Sequence, residues 1–305
     1  MLVAVFQFEI NMSYQEFWDR QSETVEAAIR AVDGSSDETT VQHTGVWTAN
    51  QVTHALDLQA TDRVMELGCG VGRIGKELAP RCSQWVGCDI SPNMLKAAAH
   101  RLEGLPNIGF RQLERSSFDG VFPDGDFDKA YSVAVFCHMD KEDLFLYLQD
   151  LHRIIRPGGV IYVETWNLAH PVGWRRWEHE VRNWSRLAAG DRKDAGRNQF
   201  CHPSEFALYV EHAGFEMLAQ HSDSPWTQIV AAKDLNDERR QELRSRLEQN
   251  AGAIAYSETF SRCFEKTMDL HNGDIDFEGM RAFLDSIDGT EESALLRPYN
   301  EASWG

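Results

Sequence analysis

Apolar residues follow two different spacings between residues 63 and 165. Five short apolar runs predict β-strands, and their sequences are RVMEL, QWVGCDI, NIGFRQL, FDKAYSVAV and VIYVET. Between these runs apolar residues recur every three or four positions, as at Leu144, Leu148, Leu151 and Ile155, and this spacing predicts amphipathic helices. Strands that alternate with helices in this way are typical of an α/β fold with a doubly wound, mostly parallel sheet.

The pattern changes after residue 165. Residues 166–202 hold four tryptophans and seven basic residues but only four acidic ones. The α/β pattern then returns with a predicted helix from Ser204 to Ala213 and the predicted strands FEMLAQH and TQIVAAK. Because only the short turn SDSPW joins these two strands, we expect them to pair as an antiparallel hairpin at the end of the sheet.

Both ends of the chain show helical patterns. Residues 13–16, with the sequence SYQE, match a capping box, so the packed structure is expected to begin near Ser13, after an extension at residues 1–12. Residues 234–305 carry sixteen acidic and eight basic residues and include the charged helical pattern DERRQELRSRLEQ. We therefore predict a domain at residues 13–233 and an acidic helical C-terminal extension at 234–305, which packs on the core or forms a homodimer.

Composition narrows the classes of partner. The chain has 305 residues and a net charge of −18, which disfavours nucleic acid and anionic membranes as partners. Its six cysteines are scattered without a C-x-x-C pair, as in cytoplasmic proteins with reduced thiols and no zinc site. The stretch NGDIDFEGM resembles half of a calcium loop but has Gly279 where the bidentate glutamate is required, so no metal is expected. No apolar run reaches the ~20 residues of a membrane span, and MLVAVFQFEI lacks the features of a signal peptide.

The stretch MELGCGVGRIG, residues 65–75, contains two glycine patterns at once. Gly70, Gly72 and Gly75 match the dinucleotide fingerprint G-x-G-x-x-G, and Gly68 with the first two gives G-x-G-x-G. Asp89 follows Gly70 by nineteen residues, where either kind of cofactor would present ribose hydroxyls. Glu66 favours the second pattern, because a carboxylate beside the loop opposes a pyrophosphate and suits a cationic ligand.

The ordered set of motifs resembles the class I S-adenosylmethionine-dependent methyltransferases. The matching stretches are VMELGCGVGR, VGCDISPNML, FPDGDFDKAYS, FCHM, LHRIIRPGGVIYVE and HAGFE, in family order over roughly residues 45–233. The resemblance implies a Rossmann-like methyltransferase fold, S-adenosylmethionine as cofactor, and a helical cap insertion at about residues 166–202.

The same resemblance implies a set of cofactor-binding residues. The loop residues Gly68, Cys69, Gly70 and Gly72 would contact the methionine part, Glu66 the cationic end and Asp89 the ribose. Ile90 and Met94 would pack on the adenine, and Val133 and Phe136 would lie near the sulfonium. Where the family usually has an aspartate for the adenine amino group, this chain has Ser116 beside Ser117, and a hydroxyl accepts that hydrogen bond less strongly.

The methyl acceptor is expected to be a small polar metabolite bearing a carboxylate, methylated on N, S or O. His138 follows the fourth strand, near the family's reaction centre, and is the candidate catalytic residue, acting as a base or by proximity alone. Further candidates for the substrate site are Tyr14, Trp47, Trp166, Arg175 and Arg176, the arginines because they could bind a carboxylate. The tryptophans could equally pack the cap on the core, and the arginine pair could offset nearby acids.

Two other functions remain open from the sequence. The basic stretch at residues 166–202 could serve a methyltransferase that acts on RNA or protein, although the sequence SVAVFCHM after the fourth strand lacks the motif of amino-N nucleic-acid methyltransferases. Alternatively, the fold could bind the cofactor without catalysis and act through its C-terminal helices as an interaction protein. The intact glycine loop and Asp89 count against that second possibility.

Overall fold

The computed structural model describes residues 13–34, 36–114, 117–118, 120–187, 197–295 and 297. In these residues the chain forms twelve α-helices and eight β-strands. The helices are α1 Tyr14–Gln21, α2 Val25–Asp33, α3 Glu38–Leu56, α4 Arg73–Leu78, α5 Pro92–Arg101, α6 Lys141–Ile154, α7 Pro171–Trp184, α8 Pro203–His212, α9 Asp237–Gln249, α10 Ala251–Ile254, α11 Glu258–Asn272 and α12 Phe277–Ser286. The strands are β1 Arg63–Leu67, β2 Gln84–Asp89, β3 Ile108–Gln112, β4 Phe127–Ser132, β5 Ile155–Asn167, β6 Phe200–Cys201, β7 Glu216–His221 and β8 Trp226–Ala232.

The strands form one mixed sheet in the order β3-β2-β1-β4-β5-β8-β7, with the short β6 paired to the end of β5. The neighbours from β3 to β5 run parallel, whereas β8 is antiparallel to both β5 and β7. The expectation of a mostly parallel, doubly wound sheet with a final antiparallel hairpin is therefore confirmed. Parallel strands that run in one direction bring their carboxyl ends to the same edge of the sheet, which is where this type of fold binds ligands.

Two apolar layers cover the two faces of the sheet. On one face, Met65 and Ile161 pack with residues of α6 and α8, including Leu148 and Phe206. On the other face, Val64 and Trp85 pack with α3 and α4, and the layer extends to Leu243 of α9. Consecutive residues of β1 thus alternate between the two layers, as the pleat of a strand requires.

Gly75 lies in α4 and has a packing role. A Cβ at this position would overlap the ring of Trp85, so α4 can approach the sheet closely only because the residue is glycine. Gly75 does not line the cleft at the carboxyl ends of the strands, and because the third glycine of a dinucleotide loop has the same packing role, it does not distinguish between the two cofactors.

Two strand boundaries differ from the sequence prediction by more than two residues. β5 begins at Ile155 rather than at Val160, because the chain bulges through Pro157–Gly159, with Gly158 at φ 84° donating a hydrogen bond to the Lys233 carbonyl over 2.7 Å. β4 ends at Ser132 because Ala134 takes a left-handed conformation with φ 56°, which ends the extended chain.

The helices at both ends of the chain are confirmed. Ser13 and Glu16 form the capping box that begins α1. The predicted extension at residues 1–12 lies outside the described residues, as do residues 188–196 of the predicted cap insertion. α7 lies within that insertion, and Arg175 on α7 forms ion pairs with Asp269 and Asp274 in and after α11. The C-terminal helices therefore contact the insertion as well as the sheet.

Candidate active site

A cleft lies at the carboxyl ends of β1, β2 and β4, between these strand ends and α1 and α2. It contains many of the residues predicted from the sequence, which are Tyr14, Glu66, Gly68, Cys69, Gly70, Asp89, Ile90, Met94, Val133 and His138. Residues far apart in the sequence thus meet in one place, as the carboxyl ends of parallel strands dictate.

The glycine loop is a tight turn between β1 and α4. The backbone N–H groups of Gly68 and Cys69 both donate to the carbonyl of Cys88 on β2, over 2.8 and 2.9 Å. Gly68 and Gly70 have φ values of 72° and 50°, which residues with a Cβ rarely adopt. Gly72 is part of the same turn, but it faces α5, where a Cβ would come within 2.6 Å of Leu102, and it does not line the cleft.

Asp89, at the end of β2, is held by the backbone on both sides. Its Oδ2 accepts from the N–H of Gly70 over 2.8 Å, and its Oδ1 accepts from the N–H of Ser91 over 2.9 Å. Burial raises its pKa to about 6 although these N–H groups act in the opposite direction. The carboxylate therefore fixes the glycine loop relative to the start of α5 and presents its remaining lone pairs to the cleft.

Glu66 lies on β1 in a fully enclosed position. Its Oε2 accepts from the hydroxyl of Tyr131 over 2.6 Å, and that hydroxyl accepts from the indole N–H of Trp85 over 3.0 Å. Burial raises the pKa of Glu66 to about 8, so in the protein alone this carboxyl keeps its proton at neutral pH. The expectation of a charged Glu66 thus requires a cation in the cleft that lowers the pKa again.

His138 faces the cleft from the turn after β4. Its ring lies edge-on to Trp18 of α1, with 5.1 Å between ring centroids, and its Nδ1 is buried without a hydrogen-bond partner among the described residues. Burial, with a smaller contribution from the positive charge of Arg176, lowers the pKa of His138 to about 4. The imidazole is therefore neutral at physiological pH and has a nitrogen available for a ligand.

The helices of the N-terminal part close the cleft. The Tyr14 hydroxyl accepts from the N–H of Asp140 over 2.9 Å, and Asp19 accepts from the Ser91 hydroxyl over 2.6 Å. Arg73 of α4 also lines the cleft and donates to the Thr44 carbonyl and the Thr48 hydroxyl of α3. These polar contacts anchor α1 and α3 over the strand ends.

A third buried carboxylate lies directly behind the cleft. Glu164 on β5 accepts from the N–H of Ala134 over 3.2 Å and from the hydroxyls of Tyr162 and Tyr256 over 3.1 and 3.0 Å. Ala134 lines the cleft, so Glu164 holds the backbone that forms its wall. Burial raises the pKa of Glu164 to about 7.

The remaining candidates lie away from this cleft. Phe136 is buried against the sheet near Phe206, and the Ser117 hydroxyl donates to Asp150 over 2.8 Å. Trp47 stacks on Tyr256 and Phe260. Ser116 lies outside the described residues.

The candidates on and near the cap belong to a different part of the protein. Trp166 stacks on Trp226 at a centroid distance of 4.3 Å, and Arg175 is engaged by Asp269 and Asp274. Trp166 and Arg176 line a second cavity beside α11. The binding roles predicted for these side chains stay predictions.

Several cleft residues were not predicted from the sequence. They include Trp18, Val32, Arg73, Val135 and Tyr147. Trp18 lies in α1 and Val32 in α2, and an apolar residue in an amphipathic helix fits any packed helix. Arg73 directly follows the glycine loop, and this position in the motif was the only sign in the sequence that it would line the cleft.

The fold and sequence comparisons agree with this geometry. A family model described as a methyltransferase domain matches residues 64–159. The chain is 26% identical over 178 residues to sterol 24-C-methyltransferase ERG6A of Gibberella zeae, covering 56% of this chain and 44% of that protein. It is 32% identical over 108 residues to demethylmenaquinone methyltransferase of Tropheryma whipplei, covering 35% and 43%. Human N-acetylserotonin methyltransferase has the same fold, with a TM-score of 0.53, 17% identity, and coverage of 73% of this chain and 60% of that one.

These findings define the class of the domain. Residues 64–159 match the methyltransferase-domain family, and the sheet has the fold of a known S-adenosylmethionine-binding methyltransferase. The chain spans less than half the length of the curated relatives named above. No helix among the described residues is long and apolar enough to span a membrane.

The cleft residues fit the cofactor of this class. Asp89 offers carboxylate oxygens to ribose hydroxyls, and Glu66 lies where an ammonium or sulfonium would offset its desolvation. Ile90 and Met94 give an apolar surface for a flat base. The positive φ of Gly68 and Gly70 lets the loop approach a ligand through its backbone.

Proposed function

We propose that this protein transfers a methyl group from S-adenosylmethionine to an N, S or O nucleophile of a small metabolite that bears a carboxylate. The observation that carries the proposal is the meeting of Glu66, Asp89 and the glycine loop in one cleft with His138. Two carboxylates and an apolar wall match a ligand with ribose hydroxyls, a cationic end and a base.

The protein's own part in the reaction is alignment and exclusion of water. The bound cofactor supplies a methyl carbon already activated by the sulfonium. The strand ends and α1 enclose the cleft, and the Glu164–Ala134 hydrogen bond fixes the backbone of its wall. Holding a nucleophile in line with the methyl carbon in such an enclosed site accounts for much of the rate of this class of displacement.

The state of His138 bears on the choice of acceptor. With a pKa of about 4, the imidazole is a weak base, but it is neutral and can accept or donate a hydrogen bond. A group of this kind suits an amine or thioether that reacts through a neutral lone pair, and it gives a hydroxyl less assistance. This favours N or S over O among the predicted acceptor atoms.

The carboxylate on the acceptor is supported by Arg176. It lines the second cavity with Trp166, which packs in the same cluster as Cys137, so an anion bound there would lie beside the turn that carries His138. A nucleic-acid acceptor is less suited to a chain with a net charge of −18.

Titration calorimetry with S-adenosylmethionine, S-adenosylhomocysteine and NAD tests the cofactor. We expect the first two to bind and NAD not to bind. Asp89→Ala should weaken cofactor binding more than Asp89→Asn, because the amide keeps an oxygen that can accept from the Gly70 N–H. Circular dichroism of both variants controls for folding, and NAD binding in preference to S-adenosylmethionine and S-adenosylhomocysteine would refute the assignment.

Transfer of a labelled methyl group tests the acceptor class. The protein is incubated with labelled cofactor and, in parallel, with a metabolite extract, total RNA and denatured protein. We expect label in small acidic molecules that gain fourteen daltons, a mass that follows from exchanging H for CH₃. Label found only in RNA or protein would contradict the small-molecule proposal, and cofactor binding without any labelled product would favour a non-catalytic role.

A further inference from the structure

A second cavity lies between α7 of the cap insertion and α11 of the C-terminal extension. Its volume is about 260 Å³. Its apolar wall consists of Trp166, Phe264 and Met268, and its polar side includes Arg176 and Thr267. The cavity therefore has a cationic side and a flat aromatic side, an arrangement that suits an anion with an apolar body.

The guanidinium of Arg176 is positioned and still has donors to offer. Its Nη2 forms an ion pair with Glu180 at 2.9 Å, and Glu180 is itself fixed by Asn198 and the indole N–H of Trp184, each at 2.9 Å. No other acceptor among the described residues bonds to the Arg176 guanidinium, whose side chain is 28% exposed. Its remaining N–H groups can therefore bind a carboxylate.

The neighbouring Arg175 shows the contrast. Its Nη1 and Nη2 are already paired with Asp269 and Asp274, at 2.5 and 2.9 Å. These ion pairs fasten α7 to α11 and its following turn, so they hold together the two helices that form the cavity. Arg175 therefore holds the two helices together, and Arg176 contributes a positive charge to the cavity between them.

The apolar wall is rigid. Trp166 is stacked on Trp226 at 4.3 Å, and its indole N–H donates to Asn198 over 3.1 Å. Phe264 meets the Trp166 ring edge-on at 5.5 Å. A planar apolar body can pack against such a surface without displacing a side chain.

The cavity borders the turn that carries His138. Cys137, the preceding residue, packs in the same aromatic cluster as Trp166, Phe260 and Phe264. Ala134, which lines the cleft, packs in this cluster too, so the cluster lies between the two cavities. An anion held by Arg176 would thus have its other end near the cleft.

We propose that this cavity is the binding site for the carboxylate end of the methyl acceptor, and that it selects small carboxylates with a planar apolar body. The C-terminal extension supplies one wall of it through Phe264, Thr267 and Met268. This inference rests on the proposed function for its biological meaning, but the binding itself is tested without methyl transfer.

Benzoate is the probe, with benzamide as its uncharged counterpart. Ligand-observed NMR and calorimetry should show that benzoate binds the wild-type protein at millimolar concentrations and that benzamide binds at least tenfold more weakly. Arg176→Gln should weaken benzoate by about tenfold or more, since a hydrogen bond to a charged group is lost. Arg182→Gln, an exposed arginine on the same helix, is the matched control and should leave binding unchanged.

A second variant fills the cavity and keeps the charge. Thr267→Trp should abolish benzoate binding with Arg176 intact. Both variants should bind S-adenosylhomocysteine as the wild type does, which shows that the fold and the cleft are preserved. Equal benzoate affinity in wild type and Arg176→Gln, or no benzoate binding to the wild type, would overturn the site. If the wild type binds benzoate but not S-adenosylhomocysteine, the proposed function is refuted and the carboxylate site in the second cavity remains.

Discussion

Replacing Glu164 by glutamine should change how the stability of the protein depends on pH. The carboxylate is enclosed by the Ala134 N–H and by the hydroxyls of Tyr162 and Tyr256. An amide of nearly the same shape removes the titrating group. Its single oxygen can accept from the two tyrosine hydroxyls, and the loss of the acceptor for the Ala134 N–H is a cost that does not vary with pH. The substitution therefore isolates the free energy of ionising a buried carboxyl.

The direction and size of the change in stability with pH follow from the pKa of Glu164. Burial raises it from 4.5 to about 7, so between these values the folded state binds the proton more strongly than the unfolded state does. The stabilising contribution of this group is complete below pH 4.5 and is lost as the pH rises through about 7. A shift of this size corresponds to roughly 3 kcal/mol at 1.36 kcal/mol per pKa unit.

Urea unfolding followed by circular dichroism at several values from pH 5 to pH 8 measures the effect. We expect the free energy of unfolding of wild type relative to Glu164→Gln to fall by roughly 2 to 3 kcal/mol over this range. The control is Glu242→Gln, because Arg239 lowers the pKa of this exposed carboxyl and its titration lies below the range tested. If the free energies of unfolding of wild type and Glu164→Gln differ by the same amount from pH 5 to pH 8, the reasoning about Glu164 is refuted.

Three further predictions concern other residues. The affinity for S-adenosylhomocysteine, which carries an ammonium, should increase as the pH rises towards 8, because Glu66 must lose its proton to pair with a cation. Glu66→Gln should flatten this pH dependence in calorimetry, and an unchanged slope would speak against the contact. Gly75→Ala should lower the free energy of unfolding in urea by about 1 to 3 kcal/mol, because its Cβ would overlap the buried ring of Trp85. Gly252→Ala has open space around the new Cβ and should be neutral or stabilising, and equal effects of the two substitutions would show that the packing relaxes. Arg175→Gln should lower the melting temperature and raise hydrogen exchange in α11 first, and uniform exchange along the chain would count against its role in fastening that helix.

The fold was readable from the sequence because local spacing and topology agree. Apolar runs at strand length alternated with helical stripes, and the short SDSPW turn required an antiparallel final pair. The cleft residues Glu66 and Asp89 could also be placed, since both stand at the carboxyl ends of adjacent parallel strands. Periodicity defines which residues share a face, and topology then brings the strand ends together.

Side-chain roles in the cap could not be read in the same way. Arg175 and Arg176 are neighbours in sequence, but successive residues of a helix point about 100° apart, so one faces acids of α11 and the other faces a cavity. Trp166 gave no sign of whether it would bind a ligand or pack, because either role buries an indole. In the structure its ring stacks on Trp226 and also lines the second cavity, so the stacking does not exclude a ligand.

Glu164 was overlooked for a related reason. Alternation in VIYVET places it on the same face as Tyr162, but a glutamate at a strand end commonly faces solvent. It is buried because Tyr256 covers it from a segment ninety-two residues later in the chain. No local pattern carries information about a contact of that sequence separation.

The Ile254 carbonyl has a consequence for the order in which the protein can fold during synthesis. It accepts from Gln51 over 2.6 Å and from Gln228 over 2.9 Å, so one peptide group joins a helix near the beginning of the chain to the last strand of the sheet. Contacts across 203 residues form late, because the intervening chain must first emerge from the ribosome. Until residues 254–256 emerge, the nascent chain has neither the acceptor for these two glutamines nor the Tyr256 hydroxyl for Glu164. The wall of the cleft is thus completed only after residues 254–256 have emerged, well after all of its own residues have been made.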